Sequence, residues 1–325
     1  MRTAILIALG AALAATVTSG TTEVRAQQAR QLSIVTGGTG GVYYPLGGGF
    51  GNILGKAIPG VTATAQVTGG SVDNLRLIGS GKADIAFSQV DAAWDAINGT
   101  DKFTNGKLPI QALGVLYPNH MHVVSVESTG ITSVAGMKGK RISVGANGSA
   151  TEVYANRVLE AAGLDPMKDV VRERLSVAES ANAVKDGKIQ AFFWVGGLPT
   201  AAVTDLAATP NTTIKMIDFA DLTAKMNAKY GPLYSETVIP MATYKGMKAD
   251  NKNNAVWNIL AVNANMTPDL AYQITRTLFD KRDDLGLVHA EGKNIKLELQ
   301  SLKNSGIPFH PGALKYLAEK GVKVE

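Results

Sequence analysis

The chain has 325 residues, 45% of them hydrophobic and 18% charged, and its 32 Lys and Arg against 27 Asp and Glu give a net charge of +5. That length accommodates two domains of ordinary size, and the mild basic excess is scattered, without the Lys/Arg runs that track nucleic acid. The absence of cysteine excludes disulfides, thiol nucleophiles and cysteine-based metal sites.

The first segment, MRTAILIALGAALAATVTSGTTEVRAQQ, has the layout of a secretion signal. Arg2 supplies the positive end, Ala4 to Val17 the apolar run, and Val24-Arg25-Ala26 a small-x-small triplet before Gln27. This predicts a signal peptide over 1–26, cleavage after Ala26 and a periplasmic mature chain. No Cys follows the apolar run, so no lipid anchor is expected.

From Gln31 onward strand and helix signals alternate. LSIVT reads as a strand, followed by glycines and an amphipathic helix from about Tyr44 to Ala57. VTATAQV is a second strand, Gly69-Gly70 a turn, and a helix starts near Ser71. ADIAFS and VDAAWDAI repeat the strand–helix order. Such alternation predicts an α/β protein with a largely parallel sheet.

The pattern then echoes itself. KRISVGANGSATEVYANRVLEAAGL again runs strand, small-residue loop, helix and Gly stop. VKDGKIQAFFWVGGLPTAAVTDL matches the order of IGSGKADIAFSQVDAAWDAI. We read two similar lobes. Leu113 to Ser128 and Tyr234 to Tyr244 are the expected crossings, so lobe one spans 31–117 plus 236–325 and lobe two spans 118–235.

The glycine-rich stretch after the first strand, TGGTGGVYYPLGGG, is not a nucleotide loop. It has no Lys before Lys56 for a P-loop, and Tyr43 stands where a dinucleotide fingerprint needs its third glycine. Bare backbone N–H groups at Gly38, Thr39 and Gly40, ahead of a helix start, suit an anion. Tyr43 offers a hydroxyl and a flat wall. In lobe two, Asn147, Ser149, Ala150 and Thr151 occupy the corresponding loop. Ser71 is expected to cap its helix and face inward. Ser88 and Gln89 end another strand, and Trp194 and Gly197 end a third, with Pro199 in the first turn of the following helix. In open α/β sheets ligands sit beyond such strand ends. Tight turns, capped helices and core packing are the alternative readings of the same residues.

Catalytic signals are absent from the sequence. His120 and His122 share one face of a strand, but no third metal ligand is suggested nearby. There is no G-x-S-x-G elbow and no carboxylate pair at a recognisable spacing. A binding protein without cofactor or metal is expected, rather than an enzyme.

Six blocks in order carry a family resemblance: TGGTGGVYYPLGGGFGNIL, TGGSVDNLRLIGSGKADIAFSQVD, LYPNHMHVV, GKRISVGANGSATEV, DGKIQAFFWVGGLP and IPFHPGALKYLAEKG. From about Leu32 to Gly321 the chain resembles the TAXI family, the extracytoplasmic solute receptors of TRAP (tripartite ATP-independent periplasmic) transporters. The resemblance implies a type II periplasmic-binding-protein fold, two α/β lobes joined by crossing strands around a ligand cleft. It further implies a monomer that delivers a small anionic solute, such as glutamate or a dicarboxylate, to a permease driven by an ion gradient, commonly sodium. Two positions depart from the family loop. Ala150 stands where Gly is usual in Gly148-Ser149-Ala150-Thr151, and Asn147 where proline is frequent. The same clamshell could instead serve a sensor kinase or an ABC transporter.

Overall fold

The structure, a computed structural model, describes residues 30–324. The signal peptide predicted over 1–26 lies outside the described residues.

Three short apolar runs form the parallel strands β1 (Arg30–Val35), β2 (Val61–Gln66) and β3 (Ile85–Gln89), with β1 between the other two. They are linked through α1 (Tyr43–Ala57) and α2 (Ser71–Gly79), and α3 (Val90–Asn98) follows β3. In α1, Leu46, Phe50 and Leu54 recur every fourth residue and are buried, the spacing of one helix face. Gly51 lies on the face that meets β2. A Cβ there would stand 2.6 Å from the Ala63 carbonyl oxygen, so several glycines of the rich stretch serve helix–sheet packing rather than a ligand.

β4 (Ile110–Val126) runs for 17 residues, covering most of the first predicted crossing. Beyond it the strand–helix order repeats with β5 (Arg141–Ser143), α4 (Ala150–Ala161), β6 (Val171–Glu173), α5 (Val177–Lys185), β7 (Ala191–Gly196) and α6 (Ala201–Ala208). β5 pairs in parallel with both β6 and β7, as β1 does with β2 and β3. The sequence echo is thus a structural one.

β8 (Ile214–Met216), α7 (Thr223–Tyr230) and β9 (Ser235–Ile239) lead to β10 (Asn251–Asn263). The second long strand is β10, not Tyr234 to Tyr244. That segment supplies only β9, which pairs antiparallel with the start of β10. Proline has no N–H for the ladder, and β9 stops just before Pro240. α8 (Pro268–Asp280), α9 (Arg282–Val288) and α10 (Pro311–Glu319) follow.

The sheet order is β2-β1-β3-β10-β4-β7-β5-β6, with β8 on β4 and β9 on β10. Antiparallel β4 and β10 therefore join two α/β lobes. Helices cover both faces of the sheet, which is why Phe192 and Phe193 are both buried, on opposite faces, where alternation alone expects one in the core.

Candidate ligand site

The loops after β1, β2 and β3 meet those after β5 and β7 around a cavity of about 40 Å³. Lobe one contributes Gly38, Gly41, Tyr43, Gly70, Ser71 and Gln89. Asn119 enters from the middle of β4. Lobe two contributes Ser149, Ala150 and Thr151 at the start of α4, and Trp194 and Gly196 at the end of β7. No lining residue carries a charged side chain.

Three helices begin at this cavity. α1 starts after Val42 and α2 after Gly70, neither with a side-chain cap, and both starts line the cavity; the third N–H of α2, at Asp73, is already taken by the Gly148 carbonyl. α4 starts after Ser149, whose Oγ accepts from Glu152 N at 3.1 Å. Ser71 was expected to cap α2. Instead it is the first helical residue, and its Oγ accepts from Gln89 N at 3.1 Å, tying the α2 start to the end of β3.

Tyr43 donates its hydroxyl proton to Asn258 Oδ1. Burial pushes the phenol well above its ordinary pKa, so it stays a donor. Trp194 is held by a 2.9 Å bond from Nε1 to Thr200 Oγ1. Its ring lies against Gly41, where a Cβ would come within 2.8 Å of Cη2.

Five of the residues singled out in the sequence stand outside the cavity. Ser88 is fully buried, its Oγ donating to the Gln89 carbonyl at 3.0 Å. Thr39 is exposed. Gly40 packs against α5 and α6, and its carbonyl accepts from Ala202 N at 3.4 Å. Asn147 points its side chain to solvent, while its backbone oxygen sits against Gly69. Gly197 lies against Glu291, whose Oε1 accepts from Leu198 N at 2.5 Å. Pro199 precedes α6 rather than starting it, because Thr200 is the N-cap and the Leu198–Pro199 bond is cis.

Sequence reasoning assigned the loops that hold Gly41, Gly70 and Gly196 to the cleft but missed Asn119. Asn119 had a signal of its own, a polar residue inside the apolar β4 run. It is also the residue held by the other long strand, since its Nδ2 donates to Asn258 Oδ1 at 2.8 Å.

The two sides of the cleft touch. Asp73 N donates to the Gly148 carbonyl at 3.0 Å, and Arg157 of α4 reaches Asp95 of α3 at 2.6 Å. Of the histidine pair, His122 is committed to structure. His122 Nδ1 lies 2.9 Å from the His120 carbonyl and Nε2 2.8 Å from the Tyr244 hydroxyl. Among the described residues no group of three or more His, Asp or Glu side chains is placed to hold a metal. Arg76 and Arg141 are at the surface, Arg141 paired with Glu173.

The profile of the NMT1-like family matches residues 34–321. The chain belongs to the NMT1-like family. Solved structures share this NMT1-like chain's architecture at low identity. A protein of Bordetella bronchiseptica RB50 is 19% identical over 89% of this chain and 88% of its own, with a TM-score of 0.51. A structure described as a periplasmic transporter is 12% identical over 89% and 92%, also at 0.51. A binding protein component of an ABC phosphonate transporter from Pseudomonas aeruginosa is 10% identical over 82% and 80%, at 0.50. At such identities the likeness is one of fold. The fold is the periplasmic-binding-protein one expected from the sequence, two α/β lobes with a cleft and crossing strands.

Proposed function

We propose that this chain is an extracytoplasmic solute-binding receptor that closes its lobes on a small anionic metabolite and presents it to a membrane transporter. The observation that carries the reading is the meeting of three helix starts, those of α1, α2 and α4, at a cavity with no charged lining residue. Helix N-termini supply free N–H groups and partial positive charge, enough to hold an anion without a cationic side chain.

The same geometry favours binding over catalysis. The Ser71 and Ser149 hydroxyls are engaged with backbone groups, and no histidine or carboxylate lines the cavity beside them. In this reading the lobes are 31–117 plus 236–325 against 118–235. The signal predicted over 1–26 supports an extracytoplasmic location.

The transporter is proposed from the sequence. The six-block TAXI resemblance favours an ion-gradient-driven TRAP permease, with glutamate and dicarboxylates as the first solutes to try. A second reading, an ABC transporter, is prompted by the Pseudomonas aeruginosa structure with the same fold.

The test is mass spectrometry of small molecules released when the freshly purified mature protein is denatured. A stoichiometric organic anion that quenches or shifts tryptophan emission on titrating back supports the receptor. If nothing is released and a broad anion panel leaves the melting temperature unmoved, the receptor reading fails.

A further inference from the structure

The cavity's polar atoms ask for more than an anion. Asn258 Nδ2 donates to the Tyr117 carbonyl at 2.8 Å, which turns Asn258 Oδ1 toward Asn119. Asn119 must then donate through Nδ2, and its Oδ1 is left as a buried acceptor with no partner. Gln89 Oε1 is in the same condition, on a residue only 3% exposed. Both residues line the cavity. An unpaired buried acceptor is costly, and a carboxylate has no proton to give it.

Charge and size narrow the partner further. The helix starts supply only partial positive charge, which suits a single carboxylate without requiring a second one. A second carboxylate has no Lys or Arg to meet, and an ammonium group has no carboxylate to meet and faces positive helix ends. The cavity, at about 40 Å³, is well below the roughly 150 Å³ that admits benzene.

We infer that the enclosed ligand is a short monocarboxylate bearing a hydroxyl, its carboxylate at the helix starts and its hydroxyl donated to the Gln89 or Asn119 side-chain oxygen. Trp194 covers its carbon skeleton. The inference rests on the receptor reading and narrows it away from glutamate and dicarboxylates.

Isothermal titration of the mature protein with glycolate, lactate, acetate, propionate, succinate, L-glutamate and L-alanine tests it. Glycolate or lactate should bind about tenfold or more tighter than acetate or propionate, because only the hydroxy acids satisfy the orphaned acceptor. They should also outbind the other three. Gln89→Leu should erase most of the preference for the hydroxy acids, and if that variant does not fold the wild-type panel decides alone. Equal binding of lactate and propionate overturns the inference, as does tighter binding of succinate, glutamate or alanine. Any of these leaves the receptor standing. No binding of any of the seven acids to folded protein overturns the inference, while the receptor reading falls only if the released-ligand and broad-panel tests also fail.

Discussion

Arg157 of α4 and Asp95 of α3 form an ion pair of 2.6 Å that joins the two lobes, with the side chains only 4% and 3% exposed. Asp91 lies 3.9 Å from the same guanidinium, Asp101 3.4 Å, and the Tyr234 hydroxyl accepts from it at 2.7 Å. Tyr230 stacks against it at 4.6 Å. All three acidic groups come from one lobe and the cation from the other, so the cluster is complete only when the cleft is shut.

Removing the cation should therefore open the cleft rather than unfold the chain. Arg157→Met would strand two buried carboxylates, a defect worth about 3–5 kcal/mol if the lobes stayed together. Opening rehydrates them at lower cost. We expect a larger radius of gyration by solution scattering, and ligand affinity weaker by about tenfold or more because closing is no longer favoured. An unchanged radius with a large fall in melting temperature would mean that the cluster holds the fold and not the closure.

Two buried groups oppose each other as pH changes. Burial is the main cause that raises the Asp91 carboxyl to about 6, with Arg157 pulling the other way. Its contribution is full below the ordinary aspartate value near 4 and is lost as pH rises through about 6. Burial also depresses His122 to about 3. Its contribution is present above the ordinary histidine value of about 6.5 and is lost as pH falls towards that depressed value. His120, also depressed by burial, to about 4, adds to the His122 trend. The wild-type melting temperature should thus rise with pH between 4 and 6, but less steeply than the two histidines alone would make it. Asp91→Asn should make it rise more steeply with pH over that window, and His122→Leu should flatten or invert it. Parallel curves for all three proteins would refute the opposition.

Much of this fold could be read in advance because α/β units announce themselves. Apolar runs such as ADIAFS end at glycine or polar loops, and helix faces repeat every three or four residues. β10 was hidden by its own composition. Asn251, Asn253, Asn254 and Asn258 interrupt the strand with a residue that is poor in sheets. Each is buried, and bonds such as Asn251 Nδ2 to Asp218 at 2.7 Å make it tolerable. The site was legible where it is made of loops, through the glycines and Ser149 to Thr151. It was illegible where it depends on distant partners. Asn119 is set by Asn258, 139 positions away, and Arg157 by Asp95, 62 positions earlier. Local sequence pattern carries no information about such pairs.

Gly41 is a test of the tryptophan wall. A methyl there meets Trp194 Cη2 at 2.8 Å and Cζ2 at 3.1 Å, inside normal carbon contact distance. The indole can yield only by losing its bond to Thr200. Gly41→Ala should leave far-ultraviolet circular dichroism unchanged, weaken ligand binding and alter the tryptophan emission of the free protein. Retained affinity with unaltered emission would show that Trp194 has room to move and does not shape the site.

Ala150 is where this chain departs from the loop it resembles, and its methyl is 2% exposed at the cavity wall. It heads α4, next to the Ser149 cap, at one of the three N-termini proposed to hold the anion. Ala150→Gly removes the methyl and widens the cavity at the end where the carboxylate is placed. The cost to the helix is about 0.5–1 kcal/mol at most, since glycine is unfavourable mainly in helix interiors. If the methyl sets the size limit, the variant should gain affinity for acids one or two carbons longer than the preferred one, and lose affinity for the shortest. Titration with a homologous series from glycolate to 2-hydroxyvalerate reads this directly. A uniform change along the series would instead assign Ala150 to the stability of the helix start, leaving the cavity's size limit to Trp194 and Tyr43.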